Sequence, residues 1–365
     1  MVSAQRPRIG VVRETVPGER RVALVPKVIT QLIGKGLDVV VESGAGEAAL
    51  LPDSAFEAAG AVIGSPWDCD VVVKVAEPSS EEIAKLAAGT RLIGFLNPRS
   101  QENQIGELKA KGVEAYAMEA IPRISRAQVM DALSSQNNVA GYKAVLVAAD
   151  QLTRFFPMLT TAAGTVKPAT VMVLGVGVSG LQALATARRL GARTIGYDVR
   201  PEVAEQVKSV GAKWLDLGIE AAGEGGYARE LTDEEKALQQ ERLAAAIGEA
   251  DAVITTALVP GRRAPILVTA DAASRMKPGS VIVDLAGETG GNCELTEPGE
   301  TVVKNSVTIC SPLNLPATMP EHSSELYAKN IQALLELMLN DEGVIAPDFE
   351  DEILAGACVT RDKEA

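Results

Sequence analysis

Val171-Met172-Val173-Leu174-Gly175-Val176-Gly177-Val178-Ser179-Gly180 is the stretch that decides the predicted fold of this chain. An apolar run leads into three glycines spaced G-x-G-x-x-G, and apolar residues with helical spacing follow over 181–190. A strand, a glycine turn and a helix in this order are typical of a dinucleotide-binding unit, whose helix N-terminus faces a pyrophosphate. The residues predicted to contact that pyrophosphate are Gly175, Gly177, Val178, Ser179 and Gly180.

A second predicted strand, over 194–197, ends in Asp198, eighteen residues beyond Gly180. A carboxylate at a spacing of about 20 residues accepts hydrogen bonds from an adenosine ribose. An anionic Asp198 also repels a 2′-phosphate, which favours NAD(H) over NADP(H). Arg200, two residues further on, leaves that choice open. The alternative interpretation of the whole stretch is a glycine-rich turn in some other α/β protein.

Length and composition indicate two domains. The chain has 365 residues, of which 47% are apolar and only 3% aromatic, so Ala, Val and Leu must form its cores. Small and branched side chains suit parallel strands that are covered by helices. We therefore predict an α/β fold with two Rossmann-like, doubly wound parallel-sheet domains and a cleft between them.

The domain boundaries follow from the order of the predicted elements. Strands and helices alternate from Ile9 onward, with an early helix predicted over 22–33, and the alternation starts again after the glycine turn. A helix over about 138–155 is expected to cross between the domains, followed by a linker over 157–168. The first domain is then 1–136, completed by 313–365, and the NAD(H)-binding domain is 137–312.

The formal charge is −13, from 35 Lys and Arg against 48 Asp and Glu, which argues against nucleic acid as a partner. The four cysteines are scattered, which fits a reducing compartment and makes a metal site improbable. The N-terminus lacks the apolar stretch of a secretory signal, and no run approaches the ~18 apolar residues of a membrane span. We expect a soluble chain that can still bind a membrane partner.

The densest polar constellation of the first domain lies over 121–138. If this segment is helical, Gln128, Asp131 and either Ser134 or Ser135 share one face. The alternative is a solvated face, with Ser125 and Gln128 forming an N-terminal capping box. That alternative leaves Arg123 and Asp131 unexplained.

An NAD(H) domain implies hydride chemistry, and most dehydrogenases also need an acid or base, often His. The only histidine is His322, at a predicted helix start where capping or exposure is the commoner role. Hydride transfer from one nicotinamide to another moves no proton between the reactants, so positioning and electrostatics suffice. The glycine-rich segment 218–233 is either a functional lid or a solvated hairpin on spacing alone. Lys74, at the end of a predicted buried strand, is either a ligand-binding cation or a snorkelling surface residue.

The chain resembles, over nearly its whole length, the NAD(H)-binding subunit of proton-translocating nicotinamide nucleotide transhydrogenase. The resemblance rests on four segments: Pro122 to Gln128 continuing to Tyr142, Gly175 to Gly180, Gly287 to Asn292, and Cys358 to Arg361. It implies that Arg123, Gln128, Asp131 and Ser134 surround the nicotinamide. It also implies that Tyr227 lies on a mobile loop that closes over the nucleotide. The further cofactor-binding residues that it implies are Asn138, Asp198, Arg200, Ala257, Leu258 and Glu288.

Alanine dehydrogenases share this fold and the segment Glu19-Arg20-Arg21-Val22-Ala23. In that family an arginine and a lysine that match Arg21 and Lys74 hold the substrate carboxylate, and both are present here. The catalytic histidine expected over 95–97 is missing, and Glu288 stands in the place of a catalytic aspartate. These two departures argue against alanine dehydrogenase, which remains the alternative enzyme. A non-catalytic NAD(H)-binding module is the alternative without hydride transfer.

The resemblance to transhydrogenase also implies partners. It predicts a homodimer that binds an NADP(H)-carrying beta subunit and a membrane-spanning subunit, with hydride passing directly between the two nicotinamides. The chain would then be cytoplasmic, held peripherally on the inner face of a bacterial plasma membrane by those partners.

Overall fold

The computed structural model describes residues 6–219, 231–259 and 262–361. They form two compact units: the first contains the described residues up to Gln136 and from Pro316 onward, and the second runs from Asn137 to Leu315. Each unit contains an extended parallel sheet, so the predicted α/β class with doubly wound sheets is confirmed. Within the described ranges, no helix has both the length and the apolar character needed to span a membrane.

The first unit contains a six-stranded sheet in which every pair of neighbours is parallel. The spatial order is β3-β2-β1-β4-β5-β6, so the chain winds outward in both directions from β1. The strands are β1 (Arg8–Val11), β2 (Asp38–Val41), β3 (Val62–Ile63), β4 (Val71–Val73), β5 (Arg91–Gly94) and β6 (Glu114–Ala117). Valines dominate the central strands and are buried, as expected for a sheet covered on both faces.

Helices cover this sheet. They are Pro26–Gly34, Asp53–Ala58, Ser80–Lys85, Glu102–Ala110, Pro320–Leu337 and Glu352–Ala357. The first begins at Pro26 rather than at Val22, where the sequence predicted its start. Val25 is extended (φ −112°, ψ 157°) because the residue before a proline is sterically disfavoured in the α region.

The second unit contains a seven-stranded sheet in the order β11-β10-β9-β12-β13-β15-β14, parallel except for its last strand. A separate antiparallel hairpin, β7 with β8, precedes it. The strands are β7 (Leu159–Thr161), β8 (Gly164–Val166), β9 (Thr170–Leu174), β10 (Arg193–Tyr197), β11 (Lys213–Trp214), β12 (Ala252–Thr255), β13 (Val281–Asp284), β14 (Thr301–Lys304) and β15 (Val307–Cys310). The helices are Val178–Arg189, Ala204–Ser209, Asp233–Glu249 and Ala270–Ser274.

Two further elements differ from the sequence-based expectation. The helix predicted over 138–155 is Ala132–Gln151, and the division between the units falls inside it, after Gln136. The segment predicted as a linker over 157–168 contains the β7–β8 hairpin, whose residues are all exposed. The order of the elements nevertheless places the glycine turn directly after β9, the central strand from which the second sheet winds outward.

Candidate nucleotide-binding site

The turn after β9 requires glycine at two positions. Gly175 has a φ of +89°, and a Cβ there would lie 2.8 Å from the backbone nitrogen of Ala257. A Cβ on Gly180 would overlap the carbonyl oxygen of Gly175. Glycine therefore allows the turn to form and the helix Val178–Arg189 to approach the strand.

Gly177 has a different role, because a Cβ built on it meets no described atom within 4 Å. The residue is the N-cap of Val178–Arg189, and no side chain of the described ranges caps this helix end. The first backbone N–H groups of a helix have no intrahelical acceptor and carry the positive end of its dipole. Within the part of the chain that the structure describes, the turn thus has room beside these N–H groups, and this arrangement fits a diphosphate.

Asn137, the residue before Asn138, contacts this turn. The Ser179 hydroxyl donates to the Asn137 carbonyl at 3.0 Å. A Cβ on Gly141, one helical turn further along Ala132–Gln151, would overlap the carbonyl oxygen of Ser179. The two helices therefore approach at backbone distance, which places exposed Asn138 beside the start of the second helix.

Asp198 follows β10, the strand beside β9, and is 7% exposed. Its Oδ2 accepts from the Val176 N–H at 2.7 Å and from Arg200 Nη2 at 2.9 Å. Its Oδ1 accepts from the Arg200 N–H at 3.0 Å and from Arg200 Nε at 2.9 Å. Asp198 thus helps to hold the glycine turn while it pairs side-on with the guanidinium.

The segment after β12 completes this edge of the sheet. The Thr256 hydroxyl donates to the Gly175 carbonyl at 2.8 Å. The fully buried Asn292 side chain accepts from the Ala257 N–H at 3.0 Å and donates to the Ala257 carbonyl at 2.9 Å and to the Pro265 carbonyl at 2.8 Å. Leu258, the next residue, is 49% exposed. The sequence identifies Asn292 only as the end of a motif. Its position after two glycines, beyond a strand end, could have indicated a structural role.

Glu288 lies after β13 in the short 3-10 helix Gly287–Thr289, with its side chain exposed. The neighbouring Asp284 is fully buried and accepts four hydrogen bonds, from Thr255, Ala286, Cys293 and Thr296. Asp284 therefore fixes the loop that carries Glu288.

In the first unit, the structure corrects the prediction that Gln128, Asp131 and Ser134 share one helix face. Residues 125–130 form a 3-10 helix, Asp131 is not helical (φ −71°, ψ 83°), and the α-helix begins at Ala132. Asp131 caps that α-helix: Oδ1 accepts from the Ser134 N–H at 2.8 Å and Oδ2 from the Ser134 hydroxyl at 2.6 Å. Among the described residues no side chain caps the 3-10 helix, so the capping box of Ser125 and Gln128 is not formed.

This loop is anchored on the inside. Ala127 and Met130 are buried, and Asn330 donates to the Val129 carbonyl at 2.8 Å. Arg126 donates from Nη1 and Nη2 to the two carboxylate oxygens of Asp351 at 2.6 and 2.8 Å, which lowers the pKa of that carboxyl. The remaining predicted residues, Arg123 and Gln128, are exposed at either side of a fixed backbone.

The two cations shared with alanine dehydrogenases are paired within the first unit. Lys74 is 0% exposed and lies 3.1 Å from Glu82 and 3.4 Å from Glu14, so it does not snorkel. Arg21 pairs side-on with Glu19 at 2.6 and 2.8 Å and donates to Gln136 at 2.9 Å. Burial raises the pKa of Glu14, and the Lys74 ammonium partly opposes that shift.

The strand end over 95–97 carries no histidine, and a carboxylate organises it instead. Oε1 of Glu119 accepts from the N–H groups of Leu96, at 2.8 Å, and of Asn97, whose φ is +45°. Burial raises the pKa of Glu119. His322 is exposed near the start of Pro320–Leu337, in agreement with a surface role.

The predicted lid is largely outside the described residues. Tyr227 and the glycines at 223, 225 and 226 fall in the range 220–230. On its C-terminal side, Thr232 and Glu235 form a capping box that starts the helix Asp233–Glu249.

Two family models match the chain. The alanine dehydrogenase/PNT N-terminal domain matches residues 10–140, and the alanine dehydrogenase/PNT C-terminal domain matches residues 144–365. Together they cover both structural units.

Similar proteins include an NAD(P) transhydrogenase alpha subunit of Rhodospirillum rubrum, which is 45% identical over 97% of this chain and 96% of that protein. Alanine dehydrogenase of Bacillus subtilis is 31% identical over 92% of this chain and 86% of that protein. The crystal structure of transhydrogenase from Sinorhizobium meliloti has a TM-score of 0.87 and 44% identity, and covers 96% of this chain and 97% of that one.

Proposed function

The chain belongs to the alanine dehydrogenase/PNT family, and we propose that it is the NAD(H)-binding alpha subunit of a proton-translocating NAD(P) transhydrogenase. The family resemblance predicted from the sequence motifs is confirmed. The observation that carries the proposal is the glycine turn: a Cβ on Gly177 meets no described atom within 4 Å, and no described side chain caps the helix that follows.

In this proposal the second unit binds the pyrophosphate and the adenosine ribose of the dinucleotide. The backbone of the glycine turn from Gly175 to Gly180, with Val178 and Ser179, holds the pyrophosphate, because no described side chain caps the helix that begins there. Asp198 accepts from the adenosine ribose. Asn138, Ala257, Leu258 and Glu288 supply surrounding contacts, and Arg200 lies at the ribose end through its pair with Asp198.

The nicotinamide end is held by Arg123, Gln128, Asp131 and Ser134. Asp131 is already fixed by its two hydrogen bonds to Ser134, and the backbone around Gln128 is anchored by Asn330. A bound NAD(H) supplies the hydride donor or acceptor, and the partner subunit carries NADP(H). The role of these side chains is to orient the ring, which needs no proton transfer.

The alternative activity, oxidation of alanine, needs an acid or base near the substrate. Two observations oppose it: the only histidine of the sequence is exposed on a helix, and residues 95–97 are organised by Glu119. Lys74 and Arg21 are neutralised by glutamates of the chain itself, so neither is an unpaired cation awaiting a substrate carboxylate.

The deciding experiment mixes the purified chain with an isolated NADP(H)-binding partner, NADP and NADH deuterated at the transferred position of C4. We expect deuterium to appear in the NADPH that forms, without loss to water. Oxidation of NADH by the chain alone with pyruvate and ammonia would instead identify an alanine dehydrogenase. NADH binding without any transfer would identify a non-catalytic binding module.

A narrower expectation concerns Gln128. Gln128→Ala should slow hydride transfer far more than it weakens NADH binding, because the amide orients the ring rather than anchoring the nucleotide. The matched control is Gln31→Ala, an exposed glutamine on the helix Pro26–Gly34. Equal losses of binding and transfer would contradict the orienting role.

We also propose that Tyr227 lies on a lid that closes over the nucleotide. The mobility of this loop should fall on addition of NADH, which changes the line width of the Tyr227 NMR signal. An unchanged line width at saturation would contradict the lid.

A second copy of the chain is the proposed partner of the hairpin. Its strands β7 and β8 stand outside the main sheet, and Met158, Leu159 and Val166 are 64%, 38% and 45% exposed. An isolated two-stranded hairpin is marginally stable, so these apolar side chains favour a covering surface. Light scattering should show a homodimer that Met158→Asp weakens. The beta subunit, the membrane-spanning subunit and the location on the cytoplasmic face of a bacterial plasma membrane complete the proposed assembly.

A further inference from the structure

The ribose-binding carboxylate is already saturated by this chain's own donors. A carboxylate offers about four acceptor positions. Asp198 uses them on the N–H groups of Val176 and Arg200 and on Nε and Nη2 of the Arg200 guanidinium. A ribose hydroxyl can therefore bond to Asp198 with good geometry only after one of these donors leaves.

The donors differ in mobility. The two N–H groups belong to the backbone, and the one from Val176 belongs to the glycine turn itself. The guanidinium sits on a flexible side chain that is 18% exposed, so it is the donor that can move. We propose that the Arg200 guanidinium competes with the adenosine ribose for Asp198 and thereby sets the strictness of NAD(H) selection. This inference rests on the proposed function, since it concerns the same nucleotide site.

The competition affects the two nucleotides in opposite ways. With Arg200 docked, the Asp198 pair is neutral, so its repulsion of a 2′-phosphate is weak. NAD(H) must displace the guanidinium before its ribose reaches the carboxylate, which lowers its apparent affinity. A guanidinium that has left Asp198 stays within one side-chain length and can pair with a 2′-phosphate. Arg200 therefore weakens NAD(H) binding and assists NADP(H) binding.

The test measures dissociation constants for ADP-ribose and 2′-phospho-ADP-ribose by calorimetry on the full chain. These probes lack the nicotinamide, so they report on the ribose end alone. Arg200→Gln should lower the dissociation constant of ADP-ribose by about threefold, because the competing conformation is removed. It should raise the ratio of the two constants, phosphorylated over unphosphorylated, by about tenfold. Arg200→Lys keeps the charge but loses the side-on pair, and should give an intermediate ratio.

The matched control is Arg189→Gln, which removes the same charge from an exposed position on the helix Val178–Arg189. It should change both constants equally and leave their ratio unchanged. The inference is overturned if Arg200→Gln keeps the wild-type ratio or weakens ADP-ribose binding while thermal unfolding shows a folded protein. A shifted ratio without hydride transfer to the partner would contradict the proposed function and leave this inference standing.

Discussion

The two sheets wind outward from β1 and β9 in the same way. They differ in the segments that follow the carboxyl ends of their central strands. After β9, a Cβ on Gly177 meets no described atom within 4 Å, and no described side chain caps the helix Val178–Arg189. After β1 and β4, charged side chains of the chain occupy the edge: Lys74 lies between Glu14 and Glu82, and Glu14 accepts from the N–H groups of Val75 and Ala76.

The sheet topology thus determines where a ligand can bind, and the side chains at that position determine whether binding groups are left for it. Ligands bind outside the carboxyl ends of the strands in open α/β sheets. In the first unit the backbone donors at that position are already bonded and the cation is paired. In the second unit the same position retains its donors. The pyrophosphate and the adenosine ribose are therefore proposed to bind at the second sheet and not at the first, and three predictions test this contrast.

The largest effect is expected in the first unit. Lys74→Met should destabilise the protein by about 3–5 kcal/mol, because it leaves the buried Glu14 and Glu82 without their cation. Chemical denaturation measures this change. Adding Glu14→Gln to Lys74→Met should restore part of the loss, since it removes one uncompensated charge. A free energy of unfolding that Lys74→Met leaves nearly unchanged would show that the ion pairs do not stabilise this edge of the sheet.

The second largest effect is expected in the second unit, where a substitution should change NADH affinity and leave stability nearly unchanged. Gly177→Ala should weaken NADH binding at least about tenfold, or about 1.4 kcal/mol, because the methyl group fills the space before the helix amides. Its stability should change by no more than about 0.5 kcal/mol, since the new Cβ meets no neighbour and φ is −80°. Fluorescence titration and thermal unfolding measure the two quantities.

The control for that variant is Gly34→Ala, a second glycine whose added Cβ also meets nothing. It should leave the NADH dissociation constant unchanged. Wild-type affinity in Gly177→Ala would place the pyrophosphate elsewhere.

The smallest effect is on the pH dependence of stability. Burial raises the pKa of Glu14 and Glu119 above their ordinary value of 4.5. The folded state then binds more protons than the unfolded state, so stability falls as pH rises from 4.5 through the raised pKa values. Glu14→Gln should make this decline in melting temperature shallower. An unchanged slope would show that Glu14 ionises normally in its buried position.

Sequence reasoning succeeded where the determinants are local. The strand, turn and helix around Gly175 follow one another directly in the chain, and the fold class follows from the repetition of such units. It failed where one pattern fits two conformations. Residues at spacing i and i+3 describe both a shared helix face and an N-cap, and Asp131 adopts the cap because its carboxylate bonds the Ser134 N–H.

Long-range pairing was also beyond the sequence. Lys74 and Glu14 are sixty positions apart, and Asn292 and Ala257 thirty-five, so only the folded chain shows that these polar groups satisfy one another. The sequence predicts a linker over 157–168, where the structure has a hairpin, because the short strands have no buried face to produce a pattern. The saturation of Asp198 by Arg200 likewise depends on a side-chain conformation that spacing does not encode.

The most direct test of the proposed nucleotide site is amide hydrogen exchange of the full chain with and without saturating NADH. We predict a large gain in protection at Val178, Ser179 and Gly180, whose N–H groups would acquire phosphate acceptors. The least change is expected at Val75 and Ala76, whose N–H groups are already bonded to Glu14. Unchanged exchange at 178–180 together with new protection at Val75 and Ala76 would contradict the proposed site.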